Sequence, residues 1–206
     1  MSIVKLSNNG VKNATALGSI SSLGSMTFIK KLTASSSSTL SFVDGASGVV
    51  LDNTYKEYLF TFNNIHPASD NYNFSFNLSS DGGSNYNVTK TTTVFTAQHG
   101  EDGNNGNIEY SSSLDLAQST DFQKLSKDLG NGSDESLNGT LNLFNLSSTT
   151  FVKHFISRTS SYFGFDRAVD MNIAGYGNTT SAVDAIQFKM TSGNIDAGDI
   201  CLYGIA

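Results

Sequence analysis

The chain has 206 residues and a net charge of −6, with 38% hydrophobic and only 15% charged residues. This length is sufficient for one large domain, and the negative charge argues against nucleic-acid binding, which requires clustered Lys and Arg. No run of about 18 apolar residues is present, so we expect no membrane partner. The single cysteine, Cys201, excludes an internal disulfide, and its apolar neighbours predict a buried, inert thiol rather than a reactive one.

The first part of the chain, residues 1 to about 25, combines sparse apolar residues with Ser, Gly and Asn. Such a stretch buries little surface on its own, so we predict an extended arm that orders against a neighbouring subunit. The alternative is a simple edge strand of the same domain. The beginning lacks the hydrophobic region of a secretory signal, and we therefore expect synthesis in a cytoplasm without a signal peptide.

Strand signals dominate the remainder, residues 26–206, which we predict to be one domain. Residues 58–62 are aromatic and apolar, as in a central strand. Residues 72–78 alternate with a period of two, which predicts one buried and one wet face. The turn residues at 80–84 and the resumed alternation after them predict a β-hairpin. Further strands are predicted at 141–146, 151–158, 186–190 and 200–205, with turns at 130–132, 175–178 and 192–194.

One segment has a helical pattern. Thr120 and Gln123 fit a capping box, in which the side chains of the first residue and the fourth satisfy each other's backbone N–H groups. Phe122, Leu125 and Leu129 follow at helical spacing, and Gly130 is suited to end a helix. We predict one short helix near 120–129 that closes an open end of the domain. The fold class is therefore all-β, an antiparallel β-sandwich of jelly-roll type with one short helix.

The residue types that usually carry chemistry are sparse. His66, His99 and His154 lie far from one another and from Cys201, so no zinc-binding spacing appears. We interpret His66 as a turn residue and His154 as an ordinary strand residue. His99 is the one histidine beside carboxylates in sequence, which makes it the weak alternative for a metal or acid–base role. The loop 102–107 lacks the oxygen spacing of a calcium loop. We predict no catalytic, cofactor-binding or metal site, and no enzyme activity.

Three stretches together resemble the poorly characterised structural proteins encoded by marine bacteriophages. They are KLSNNGVK at 5–12, YKEYLFTFNNIHP at 55–67, and SGNIDAGDI at 192–200 followed by LYGI at 202–205. The resemblance covers nearly the whole chain, but its motifs are sheet and turn patterns. It implies a virion structural protein and supplies no functional residues.

Two functions are compatible with these features. The first is a virion component, either a capsid decoration (cement) protein or part of a tail appendage. It would bind other virion proteins as a homo-oligomer, most plausibly a trimer. The alternative is a receptor- or glycan-binding module of a tail fibre. Its binding residues would lie in tyrosine-bearing loops such as 175–178, because the chain has no tryptophan for a sugar platform.

Overall fold

The structure is a computed structural model that describes residues 25–206, so the arm predicted at residues 1 to about 25 lies almost entirely outside it. The described residues form two antiparallel sheets and no helix. Their strands are β1 (Met26–Thr33), β2 (Leu40–Val43), β3 (Glu57–Pro67), β4 (Phe74–Ser79), β5 (Lys90–Gly100), β6 (Asn107–Tyr110), β7 (Gln123–Lys124), β8 (Leu137–Phe144), β9 (Lys153–Phe163), β10 (Arg167–Gly177), β11 (Ala185–Met190) and β12 (Ile195–Ile205).

The two sheets differ in size. The large sheet has eight strands in the order β1-β12-β3-β8-β9-β10-β5-β6, and the small sheet has four in the order β2-β11-β4-β7. The all-β class and the sandwich-like packing of two antiparallel sheets are confirmed. The jelly-roll type is not confirmed by this strand order.

A cluster of phenylalanines fills the space between the sheets. Phe188 of the small sheet lies at its centre, with its ring centroid 5.4 Å from that of Phe60 and 5.7 Å from that of Phe74. Phe42, Phe62 and Phe76 complete the cluster around Phe188. These side chains are almost fully buried, and aromatic rings of this size supply much of the apolar area that a sandwich core removes from water.

The strands predicted from apolar or alternating runs are present. Residues 58–62 lie in β3, which is paired on both sides within the large sheet. Residues 186–190 form β11, and Gly193 makes the predicted turn after it with a φ of 73°. Residues 175–177, predicted as part of a turn, instead belong to the end of β10.

The helix predicted near 120–129 is wrong. This segment runs extended along the edge of the small sheet, and β7 pairs with β4. Gln123 does not reach back to cap a helix, because its amide donates to the carbonyls of Leu114 and Lys124 inside the protein. The N–H of Leu125 donates to the Phe74 carbonyl at 2.7 Å. Leu125 and Leu129 lie at helical spacing for another reason. Both side chains are buried, although the chain that carries them is extended and irregular.

The hairpin predicted after residues 72–78 is also wrong, because β4 belongs to the small sheet and β5 to the large sheet. The predicted wet face of β4 does not exist either. All six of its residues are buried. Ser75 and Asn77, which alternate with the phenylalanines, are covered by the chain segments that contain Tyr86 and Thr120.

Candidate functional site

The most distinctive surface is the outer face of the large sheet, which points away from the phenylalanine core. Residues paired across antiparallel strands share one face, so the register places Ile156 of β9 beside Ala174 of β10 on this side. His154 and Tyr176 form the next pair, with ring centroids 6.0 Å apart. Phe144 ends the neighbouring strand β8. We name the depression formed by these five residues the outer groove.

The outer groove is open and mainly apolar. It encloses about 540 Å³ and is floored by the backbones of β5, β9 and β10. Ile156 is 55% exposed, although isoleucine in the middle of a long strand is normally covered. His154 is the one titratable group in its lining besides the tyrosine. The threonines 91–93 also line the groove, but most of the surface it exposes is carbon, which suits apolar side chains of a partner.

Further apolar side chains extend this face to both edges of the sheet. At the β1 edge, Phe28 is 56% exposed and packs edge-on against Tyr203 at 5.6 Å. Met26 beside it is 53% exposed. At the opposite edge, Tyr110 pairs with Phe95, and both are exposed. Several exposed apolar side chains on one face of a sheet are typical of a protein interaction site.

A buried polar layer lies beneath the small sheet, on the covered side of β4. The Asn77 amide donates to the carbonyls of Tyr86 and Thr120, at 2.7 and 2.9 Å. Lys90 is fully buried, and its ammonium donates to the Asn77 side chain and to the Val88 carbonyl. Burial lowers the pKa of Lys90 to about 7, and the Asp121 carboxylate opposes part of that shift. These contacts hold the loops that cover β4.

Lys153 is a second buried lysine, at the beginning of β9. Its Nζ donates to the carbonyls of Ser148 and Phe151 at 2.7 Å each and to that of Thr179 at 3.2 Å. Burial lowers the pKa of Lys153 from its usual value. The three carbonyls come from the loops on either side of the strand pair β9–β10, so this lysine fixes the chain that borders the outer groove. We interpret both buried lysines as structural.

The structure separates the three histidines. His66 lies in β3 rather than in a turn, with Nε2 at 3.1 Å from the Gly132 carbonyl. His154 is a strand residue as predicted, but it faces outward into the outer groove. His99 lies near the end of β5, where it borders a shallow depression together with Glu101. Cys201 is buried, as predicted.

The corner beside His99 carries the main concentration of carboxylates seen in the structure. The Tyr162 hydroxyl donates to Glu101 at 3.1 Å and to Asp166 at 3.2 Å. Desolvation and these two carboxylates raise the pKa of Tyr162 to about 12. The loop 102–107 adds Asp102, which accepts bonds from Asn104 of the same loop. No group of three or more His, Cys, Asp or Glu residues within 25–206 has the geometry to hold a metal ion.

Sequence reasoning missed the outer groove because its members come from three strands and meet only through the register. One local signal was present. In the run at 151–156, Phe155 and Ile156 are consecutive, and a strand that is apolar on both faces is typical of burial on both sides. Phe155 faces the core and is buried, whereas Ile156 faces outward and remains exposed.

Comparison with protein-family models, with curated proteins and with solved structures found no match. Within residues 25–206, no helix has the length and apolarity needed to cross a membrane.

Proposed function

We propose that this chain is a structural protein of a bacteriophage virion, either a capsid decoration protein or a component of a tail appendage, and that it acts by protein–protein assembly. The observation that carries the proposal is the mainly apolar outer groove, together with the exposed apolar side chains at the two edges of the large sheet. The resemblance of residues 5–12, 55–67 and 192–205 to phage structural proteins supplies the biological setting.

An open sheet edge supports assembly in a second way. Among residues 25–206, strand β1 pairs only with β12, and its other side forms the edge of the large sheet. It has eight residues, most of them exposed. Such an edge presents backbone N–H and C=O groups that accept a strand from another chain. We propose a symmetric homo-oligomer, a trimer, on the particle.

The receptor- or glycan-binding alternative gains nothing from the outer groove. Tyr176 was expected in a loop, where a ring is free to stack on a sugar. It lies on a strand instead, beside His154 and next to Ile156 and Ala174. The hydrogen-bonding side chains in the lining are the threonines 91–93, His154 and Tyr176, but the surface that the groove exposes is mainly apolar.

The test is incorporation into particles. Purified virions are analysed by mass spectrometry and imaging for the presence, position and copy number of the chain. In parallel, particles that lack the protein are mixed with wild-type chain, with Ile156→Asp and with Thr140→Asp. Thr140 lies on the same outer face, in the row of Arg158, and is the matched control.

We expect wild type and Thr140→Asp to bind the particles and Ile156→Asp to bind weakly, because a charge placed in an apolar interface loses its hydration. Absence of the chain from virions, together with a monomeric state in solution, would falsify the proposal.

A further inference from the structure

We propose that the outer groove is the docking site for residues 1–24 of a second copy of this chain. The inference deepens the proposed function and rests on it, since it names the partner segment through which copies would join. Three features of the molecule carry it: the chemistry of the groove, the composition of the segment, and the point at which the chain leaves the sheet.

The groove selects an apolar, extended occupant. Its walls are Phe144, Ile156 and Tyr176, and its length runs across strands rather than along them. Ile156 and its neighbours expose carbon surface. Covering this surface with an apolar occupant stabilises the complex by roughly 25 cal/mol for each Å² removed from water. A volume of about 540 Å³ accepts a few aliphatic side chains of one strand, not a folded domain.

Residues 1–24 have the matching composition. Their large aliphatic side chains are interspersed with polar residues, which permits an extended chain to insert some and expose others. They are Ile3, Val4, Leu6, Val11, Leu17, Ile20 and Leu23. The segment contains Lys5 and Lys12 and no acidic residue, whereas all 18 carboxylates of the chain lie in residues 25–206. The segment and the sandwich are therefore complementary in charge as well as in polarity.

The carboxylate nearest to the groove in the register reinforces this complementarity. Glu57 pairs with Phe144 at the groove and with Ile205 on its other side, so it lies on the outer face between the groove and the β1 edge. Its carboxylate accepts a bond from Asn142. A lysine of an arriving segment would meet this partly exposed carboxylate next to the apolar contacts.

The chain leaves the sheet at the same end as the groove. Met26 begins β1 opposite Ile205, and the Ser25 carbonyl accepts a bond from the N–H of Ala206 at 2.9 Å. The register continues from Ile205 through Glu57 to Phe144. Twenty-four residues span up to about 80 Å when extended, and the groove lies only about 20–25 Å from β1 across the strands.

Length alone therefore permits docking on the same copy or on another. The direction of β1 favours another copy. Backward from Met26, the direction of β1 leads beyond the end of its own sheet, and a return to its own outer face would require the segment to reverse its direction. A neighbouring copy beyond that end is reached without one. Each copy would then both donate a segment and accept one, which gives a symmetric ring when the rotation between successive copies closes.

The experiment uses the absence of tryptophan from the chain, which makes a single introduced tryptophan an unambiguous reporter. The reporter is a full-length chain with Tyr176→Trp and with Ile3, Val4, Leu6, Val11, Leu17, Ile20 and Leu23 all replaced by serine. The donor is the wild-type chain, which is invisible at the wavelengths used to excite tryptophan. A reporter with disabled apolar residues cannot fill its own groove, so any docking comes from the donor.

We expect a shift of the reporter emission to shorter wavelength that grows with donor concentration and reaches a plateau when the donor is in excess, because donor copies also accept segments from one another. A donor with the same seven serine substitutions should give no shift. A second reporter, His154→Trp, should respond alike and guards against a local disturbance at position 176. A control reporter, Phe165→Trp, lies at the opposite end of β10 and is exposed there, so it should not respond.

Two outcomes would overturn the inference. The first is an unshifted reporter at every donor concentration. The second is a full-length Tyr176→Trp chain, with its natural residues 1–24, that emits at short wavelength independently of dilution while wild-type donor leaves the disabled reporter unchanged. That result would place the segment on its own copy. If virions contain the chain but the reporter is silent, the docking inference alone fails. If the reporter shifts but virions lack the chain, the proposed virion role fails.

Discussion

Strands β4 and β9 reverse the usual relation between polarity and exposure. On β4, the polar residues Ser75 and Asn77 are as buried as the phenylalanines between them. On β9, Ile156 lies at the surface in the middle of a long strand. The difference shows which of the two surfaces is covered by other parts of the chain. The polar face of β4 finds hydrogen-bond partners within the chain, whereas nothing among the described residues covers Ile156.

The largest expected effect lies in the core that both sheets share. Phe188→Ala should lower the free energy of unfolding by about 3–5 kcal/mol, because it removes a ring in contact with Phe42, Phe60, Phe62, Phe74 and Phe76. Denaturant titration of the dilute protein measures the loss.

The matched comparison is Ile156→Ala on the outer groove, which we expect to cost less than about 1 kcal/mol in the dilute chain because the side chain is already half exposed. A cost for Ile156→Ala close to that for Phe188→Ala would mean that the outer face belongs to the folding core. The distinction between the two faces would then be lost.

The next effect concerns the buried lysine under β4. The pKa of Lys90 is about 7 in the folded chain against 10.5 as its usual value. Between these values the unfolded chain binds a proton that the folded chain does not, so stability rises with pH across this window. Each unit of pKa difference corresponds to about 1.4 kcal/mol, and we expect a total gain on the order of a few kcal/mol.

Urea titrations at several pH values from about 7 to 9.5 measure this slope, below the range where tyrosines ionise. Lys90→Met should remove most of it, because the variant has no amine to desolvate. Lys56→Met, at an exposed position, should keep the wild-type slope. If the free energy of unfolding rose equally with pH in wild type and in Lys90→Met, the Lys90 amine would have to stay protonated when buried.

A smaller effect is expected from the amide that joins the two sheets. The Gln123 carbonyl oxygen accepts a bond from the Thr92 hydroxyl at 2.7 Å, and its amide donates to the Leu114 carbonyl at 3.0 Å. Gln123→Ala leaves these buried groups without a partner, so we expect a loss of about 1–3 kcal/mol. Gln187→Ala is the control, because its amide bonds to Ser41 on an edge strand and water can replace it. Equal costs would contradict the view that the layer under β4 is sealed.

Local patterns correctly predicted those strands whose burial follows from their own residues and does not depend on distant parts of the chain. Residues 58–62 and 186–190 were recognised because an apolar or alternating run is enough to define a strand in either sheet. The covered face of β4 was not predictable, since the residues that cover it, such as Thr120, lie some forty positions away in sequence. The strand pairing of β5 was missed for the same reason, because its partner β10 follows about seventy-five residues later.

The candidate site depended even more on distant residues. Phe144, Ile156 and Tyr176 share a surface only because β8, β9 and β10 form one meander with a defined register. The individual residues are unremarkable in sequence, and the pattern at 175–178 favoured a turn because of its two glycines. Gly175 and Gly177 instead face the crowded inner side of β10, where a side chain at Gly175 would contact Thr92 and Phe155.

The smallest expected effect tests the segment that imitates a helix. If Thr120 capped a helix, Thr120→Ala would cost about 1 kcal/mol. In the extended chain the Thr120 side chain is exposed, and only its backbone carbonyl is used, as an acceptor for the Asn77 amide at 2.9 Å. The substitution leaves that carbonyl in place, so we expect a change in the free energy of unfolding within about 0.5 kcal/mol.

The comparison variant is Asn77→Ala, which removes the donor of the same hydrogen bond. It also leaves the Tyr86 carbonyl without its donor, so it should lower the free energy of unfolding by about 1–3 kcal/mol. Thermal and denaturant unfolding of the two variants side by side decide the matter. A loss near 1 kcal/mol for Thr120→Ala with little effect of Asn77→Ala would restore the helix and remove the buried polar layer from β4.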